Sequence, residues 1–131
     1  MQNNQLNIVP DLSHRNVLLV EDDMFSSLYM QQLLKETGAT PLVAFTGAEA
    51  IKLFQTYPVH LAFIDLRLPD MNGFEVAKIM REHHYSHLII AISGNNNIDE
   101  EIYQHSHFDY HFDKPLRMEV LYSFLQEIYS F

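Results

Sequence analysis

The 131-residue chain is 47% hydrophobic and 19% charged, enough for one globular domain with an ordinary core and too apolar for a disordered tail. Its 17 Asp and Glu against 8 Lys and Arg give a formal charge of −9, which repels phosphate backbones and anionic lipid. The absence of cysteine excludes disulfide scaffolds, thiolate metal sites and cysteine nucleophiles.

Residues 1–15 are polar, contain Pro10 and have no clean period, so they read as an extension or linker. The stretch Met1-Gln-Asn-Asn-Gln5 lacks the basic and apolar regions of a signal peptide, and a cytoplasmic domain is expected. Val17–Val20 is the first strand candidate. In the helix that follows, Phe25, Leu28, Tyr29 and Leu33 recur with helical spacing and are expected to form its inner face. Gly38 stops that helix, because glycine tolerates left-handed geometry.

Pro41–Ala44 predicts a second strand, and Ala50, Ile51 and Phe54 a second helix. Leu61–Ile64 predicts a third strand, followed by a helix marked by Phe74, Ala77 and Met80. Leu88–Ile92 is the fourth strand, far shorter than the 18 or so apolar residues that cross a bilayer. Ile98 and Ile102 mark the next helix, and Phe108–Phe112 a more polar fifth strand at a sheet edge. Leu121, Phe124, Leu125 and Ile128 define the last helix. Apolar strands separated by helices indicate an α/β fold with an open, doubly wound parallel sheet, because a closed barrel needs roughly 200 or more residues.

In such a sheet, ligands bind beyond the carboxyl ends of the strands. Those ends carry Glu21-Asp22-Asp23, Asp65, Ser93 and Lys114-Pro115. Two carboxylates about 4 Å apart repel by roughly 4 kcal/mol at an effective dielectric near 20. A cluster of them therefore takes up protons or recruits a cation, and hard oxygen donors suit Mg²⁺. The Lys114 ammonium and the Ser93 hydroxyl complete a set able to stabilise a transferring phosphoryl group, with Asp65 the natural nucleophile.

Four segments carry a resemblance: Leu18-Leu-Val-Glu-Asp-Asp23, Ile64-Asp-Leu-Arg-Leu-Pro-Asp-Met-Asn-Gly73, Ala91-Ile-Ser-Gly94 and Phe112-Asp-Lys-Pro115. In that order and spacing the chain resembles the receiver domain of two-component response regulators over residues 16–131. The resemblance implies a flavodoxin-like fold with five parallel strands in the order 2-1-3-4-5 and five helices. It implies that Asp65 accepts a phosphoryl group from a histidine kinase or a histidine-containing phosphotransfer protein. Asp22, Asp65 and the Arg67 backbone carbonyl would hold Mg²⁺, with Glu21 contributing through water. Lys114 would pair with the phosphoryl oxygens, Ser93 would swing toward them, and Pro115 would shape a turn, often through a cis bond. The switched face would combine the fourth helix, fifth strand and fifth helix and act on a downstream effector protein. Such a receiver catalyses only its own phosphorylation and dephosphorylation.

Some positions depart from the family pattern. His111 stands where Tyr or Phe is usual, and His107 replaces a usual glycine. Asn72 replaces a common Asp, and Ser93 stands where Thr is also common. Arg67 and Asn95 occupy positions that tune phosphoryl lifetime. Asp23 reads equally as a helix cap and as a metal-site acid. The histidines of His83-His84-x-x-His87 and His105-x-His107 lack outer ligands at zinc spacing and read as surface residues. Two other readings compete. An aspartate-nucleophile phosphatase would place a second Asp where Arg67 stands, and a phosphorylation-independent pseudo-receiver would have lost an acid or the lysine. A stand-alone receiver and one belonging to a hybrid kinase or a larger regulator both fit these residues.

Overall fold

The computed structural model describes residues 9–94 and 107–129. Five strands, β1 Asn16–Val20, β2 Thr40–Ala44, β3 Leu61–Asp65, β4 Leu88–Ser93 and β5 Tyr110–Asp113, form one sheet in the order β2-β1-β3-β4-β5. Every pairing is parallel. The described helices are α1 Met24–Glu36, α2 Gly47–Thr56, α3 Gly73–Glu82 and α4 Met118–Tyr129. The helix expected around Ile98 and Ile102 lies outside the described residues.

The apolar strands are buried on both faces, and the period of two divides their side chains between two cores. Val17, Leu19, Leu61, Phe63, Ile90 and Ile92 pack with α1 and α4. Leu18, Val20, Ala62, Ile64, Ile89 and Ala91 pack with α2 and α3 on the opposite face. The Tyr122 hydroxyl ties α4 to the end of α1 by donating to the Leu33 carbonyl at 2.9 Å. Leu12 is fully buried in the first core and its N–H donates to the Thr37 carbonyl at 2.7 Å, so packing begins before β1.

Two local expectations need correction. The inner face of α1 consists of Ser27, Met30, Leu33 and Leu34, whereas Phe25, Leu28 and Tyr29 are 82%, 54% and 44% exposed. Apolar residues surround most of this helix, so spacing alone selects two competing stripes, and the sheet takes the one that includes Met30 and Leu34. Strand β5 begins at Tyr110, not at Phe108. The Asp109 carboxylate accepts the Ile89 N–H at 2.8 Å, and the first β4–β5 partner pair is Ile90 with Tyr110. Phe108 turns into the second core and stacks edge-on against Phe74. Gly38 does terminate α1, with φ +87° just after the Thr37 cap.

Candidate functional site

Parallel register brings the strand ends to one edge. Asp65 is paired with Ile92, and Ser93 with Asp113, which places Asp65, Ser93 and Lys114 at a common level. The backbone continues the lattice past the strands. Glu21 N–H donates to Ala44 O, Leu66 N–H to Ile92 O and Lys114 N–H to Ser93 O, at 3.0, 3.1 and 2.8 Å. These bonds leave little freedom in where the side chains emerge.

One carboxylate oxygen from each of Glu21, Asp22 and Asp65 lies within 4.8 Å of the others. Glu21 and Asp65 are buried, while Asp22 is exposed. The Lys114 ammonium lies 2.5 Å from Glu21 Oε1 and 2.7 Å from Asp65 Oδ2. Glu21 Oε2 accepts the Asp23 N–H at 3.0 Å, and Asp65 Oδ1 accepts the Arg67 N–H at 3.0 Å. Burial pushes the Glu21 carboxyl above its ordinary range, against the opposing pull of its hydrogen bond to Lys114. Burial pulls the Lys114 ammonium down, but hydrogen bonds and charge from Asp65 and Glu21 outweigh it and leave it raised.

These donors fit a hard cation. All three are carboxylate oxygens, and the buried Glu21 already uses an ammonium as a positive neighbour. Asp23 lies outside the cluster. Its Oδ2 accepts the Ser26 N–H at 2.8 Å, and that bond lowers its pKa, so it serves as the N-cap of α1. Asn72 likewise caps α3, accepting the Glu75 N–H at 2.9 Å.

Ser93 is buried at the end of β4. The Lys114–Pro115 bond is cis. His111 is half-buried on β5, with Nε2 3.9 Å from Asp113 Oδ1. His83, His84, His87 and His107 are exposed, and among the described residues the histidines join no three-donor cluster. Asn95 and His105 lie outside the described residues.

A groove of about 270 Å³ opens beside the carboxylates, walled by Tyr29, Met30, Ile92, Pro115 and Leu116 and reaching Lys114. No local sequence signal marks this groove, because its wall is assembled from α1, β4 and the turn before α4. Asp70 also joins distant segments, and its place after Pro69 in a turn is the one sequence signal of it.

The family model for the response regulator receiver domain matches residues 17–126. The chain belongs to the response regulator receiver domain family. The cell cycle transcriptional regulator CtrA of Caulobacter vibrioides is 33% identical over 86 residues, covering 66% of this chain. The match spans only 37% of CtrA's own length. A CheY-like receiver domain from Methylobacillus flagellatus superposes with a TM-score of 0.78 at 28% identity, covering 88% of this chain and 99% of that one. A receiver structure from Saccharomyces cerevisiae matches with a TM-score of 0.76 at 25% identity, covering 92% of this chain and 90% of that one. That chain comes from a co-crystal of the histidine phosphotransfer protein Ypd1 with the receiver domain of its downstream response regulator Ssk1. This chain is thus a receiver of the two-component type, with an acidic cluster compatible with a metal ion. No described helix is long and apolar enough to cross a membrane.

Proposed function

We propose that this receiver accepts a phosphoryl group on Asp65 from the phosphohistidine of a kinase or phosphotransfer protein, in a Mg²⁺-dependent, cytoplasmic phosphorelay. The observation that carries this reading is the convergence of Lys114 with the Asp65 and Glu21 carboxylates at one sheet edge. The domain is taken as residues 16–131, preceded by an extension, and Leu12 ahead of β1 packs into the first core.

Asp22, Asp65 and the Arg67 carbonyl would hold the metal directly, with Glu21 beside it. When bound, Mg²⁺ supplies positive charge to the phosphoryl oxygens. An Asp65 carboxylate oxygen attacks phosphorus as the donor P–N bond breaks, and that bond's electron pair returns to the donor ring. The product is an aspartyl phosphate. Lys114, held 2.7 Å from Asp65 Oδ2, then has a phosphoryl oxygen within reach and offsets its charge. Ser93 donates its hydroxyl to the same group, and His111 responds on β5 as the switch residue. Pro115 shapes the turn that carries Lys114. Chemistry of this kind is confined to the protein's own phosphorylation and dephosphorylation.

The outer face of α1 supports a helical donor as partner. Met24, Phe25, Leu28 and Tyr29 are exposed beside the site, and the helix carries no charge from Met24 to Leu34. A phosphorylated phosphotransfer protein mixed with the receiver and Mg²⁺ should label Asp65, and Asp65→Asn should abolish the label. Phe25→Glu should slow that transfer while leaving phosphorylation by a small acyl phosphate near the parent rate. Equal labelling of Asp65→Asn would contradict the reading.

A further inference from the structure

The loop between β3 and α3 closes on itself. Arg67 and Asn72 form an antiparallel bridge, Gly73 N–H donates to Leu66 O at 2.9 Å, and Arg67 N–H donates to Asp65 Oδ1. Gly73 approaches so closely that an added Cβ would sit 2.4 Å from the Asp65 carbonyl oxygen. Asp70, at the tip of this closed loop, reaches a different element. Its Oδ1 accepts the Gly47 N–H at 2.8 Å and its Oδ2 accepts the Ala48 N–H at 2.9 Å.

Those two donors open α2, and a helix cannot satisfy them from within. The helix has a local cap of its own: Thr46 Oγ1 accepts the Glu49 N–H at 3.1 Å, and Glu49 Oε1 accepts the N–H of Phe45, the residue before the cap, at 2.8 Å. Those bonds leave the Gly47 and Ala48 N–H groups to a carboxylate more than twenty residues away. Met71 adds packing to the same junction, since a Cβ on Gly47 would meet its Sδ at 2.6 Å.

We infer that Asp70 is a positioning residue for the Asp65 site, tying the phosphoacceptor loop to the first turn of α2 so that the two move together. The Arg67 backbone lies between the two anchors, bonded to Asp65 on one side and bridged to Asn72 on the other. Releasing the tip therefore loosens the segment that presents the Arg67 carbonyl and holds Asp65 Oδ1. Coupling is reciprocal: what orders the loop at Asp65 also strengthens the Asp70 bonds to α2.

This inference rests on Asp65 being the metal-dependent phosphoacceptor, and its test separates the two. In the wild-type chain, hydrogen exchange at the Gly47 and Ala48 amides is read by NMR before and after Mg²⁺ and beryllofluoride. Protection should rise severalfold at both. In parallel, Mg²⁺ is titrated into wild type, Asp70→Asn and Asp70→Ala by chemical-shift change. The midpoint should weaken by about fivefold or more for Asp70→Ala, with Asp70→Asn between the two because it keeps one acceptor oxygen. A cap with a purely structural role would lower the unfolding midpoint without moving either readout. Unchanged protection in a wild type that binds beryllofluoride, or an Asp70→Ala midpoint within about twofold of wild type, overturns the inference. A wild type that binds neither reagent overturns the phosphoacceptor reading itself.

Discussion

The ammonium of Lys114 lies 2.7 Å from Oδ2 of Asp65, although the two residues are 49 positions apart and sit at the ends of different strands. This contact makes the lysine part of the nucleophile's immediate surroundings. Replacing Lys114 with Ala removes the positive charge shared by Asp65 and Glu21. Phosphorylation by a small acyl phosphate at saturating Mg²⁺ should slow by about 100-fold or more, the scale expected when one charge-stabilising donor is lost. Stopped-flow or mass-resolved rates measure this, and a loss below about threefold would remove Lys114 from the chemistry.

Glu21 gives a pH prediction with a definite sign. Burial raises its folded-state pKa above the ordinary 4.5, so the folded protein holds this proton more tightly than the unfolded chain. Its contribution is fully present below 4.5 and is lost as pH rises through the raised folded value. In Mg²⁺-free buffer at pH 7, Glu21→Gln should therefore unfold at higher urea than the parent, and the gap should close as pH falls toward 4.5. Added Mg²⁺ should stabilise the parent more than the variant, because binding to the folded state adds stability according to affinity. Urea titrations with and without Mg²⁺ decide this, and a variant less stable than the parent in Mg²⁺-free buffer at pH 7 would contradict it.

Arg81 sits at the opposite end of the sheet and should matter for stability alone. Its guanidinium bonds Asp109 Oδ2 at 2.7 Å and the carbonyls of Tyr85, His87 and His107 at 2.9, 2.7 and 3.2 Å. It thereby joins α3 to the starts of β4 and β5. Arg81→Ala should cost about 2 kcal/mol in urea unfolding, given several hydrogen bonds to a charged group that is partly exposed. The rate of Asp65 phosphorylation should stay within about twofold of the parent. A large rate loss at unchanged stability would reverse that assignment.

Much of the fold and the site is legible in the sequence, for reasons particular residues make plain. Leu61–Ile64 and Leu88–Ile92 are apolar throughout because both faces of a parallel sheet are covered, and that alone fixes the class. Asp65, Ser93 and Lys114 follow such runs, and strand ends point ligand groups to one edge. Features built from several distant segments were less accessible. The inner face of α1 depends on what packs against Met30 and Leu34, which the helix's own period does not contain. The start of β5 depends on Asp109 turning its carboxylate to Ile89 and Arg81. The Asp70 bridge depends on two backbone N–H groups, and backbone donors leave no trace in residue identity.

The central claim is that Asp65 is a metal-dependent phosphoacceptor, and intact mass spectrometry tests it most directly. The protein is incubated with a small acyl phosphate, with and without Mg²⁺, beside Asp65→Asn. One phosphoryl group should add to the parent only when Mg²⁺ is present, should be released by hydroxylamine as an acyl phosphate is, and should be absent from the variant. A parent mass unchanged by Mg²⁺ and acyl phosphate, or equal labelling of Asp65→Asn, would contradict the account.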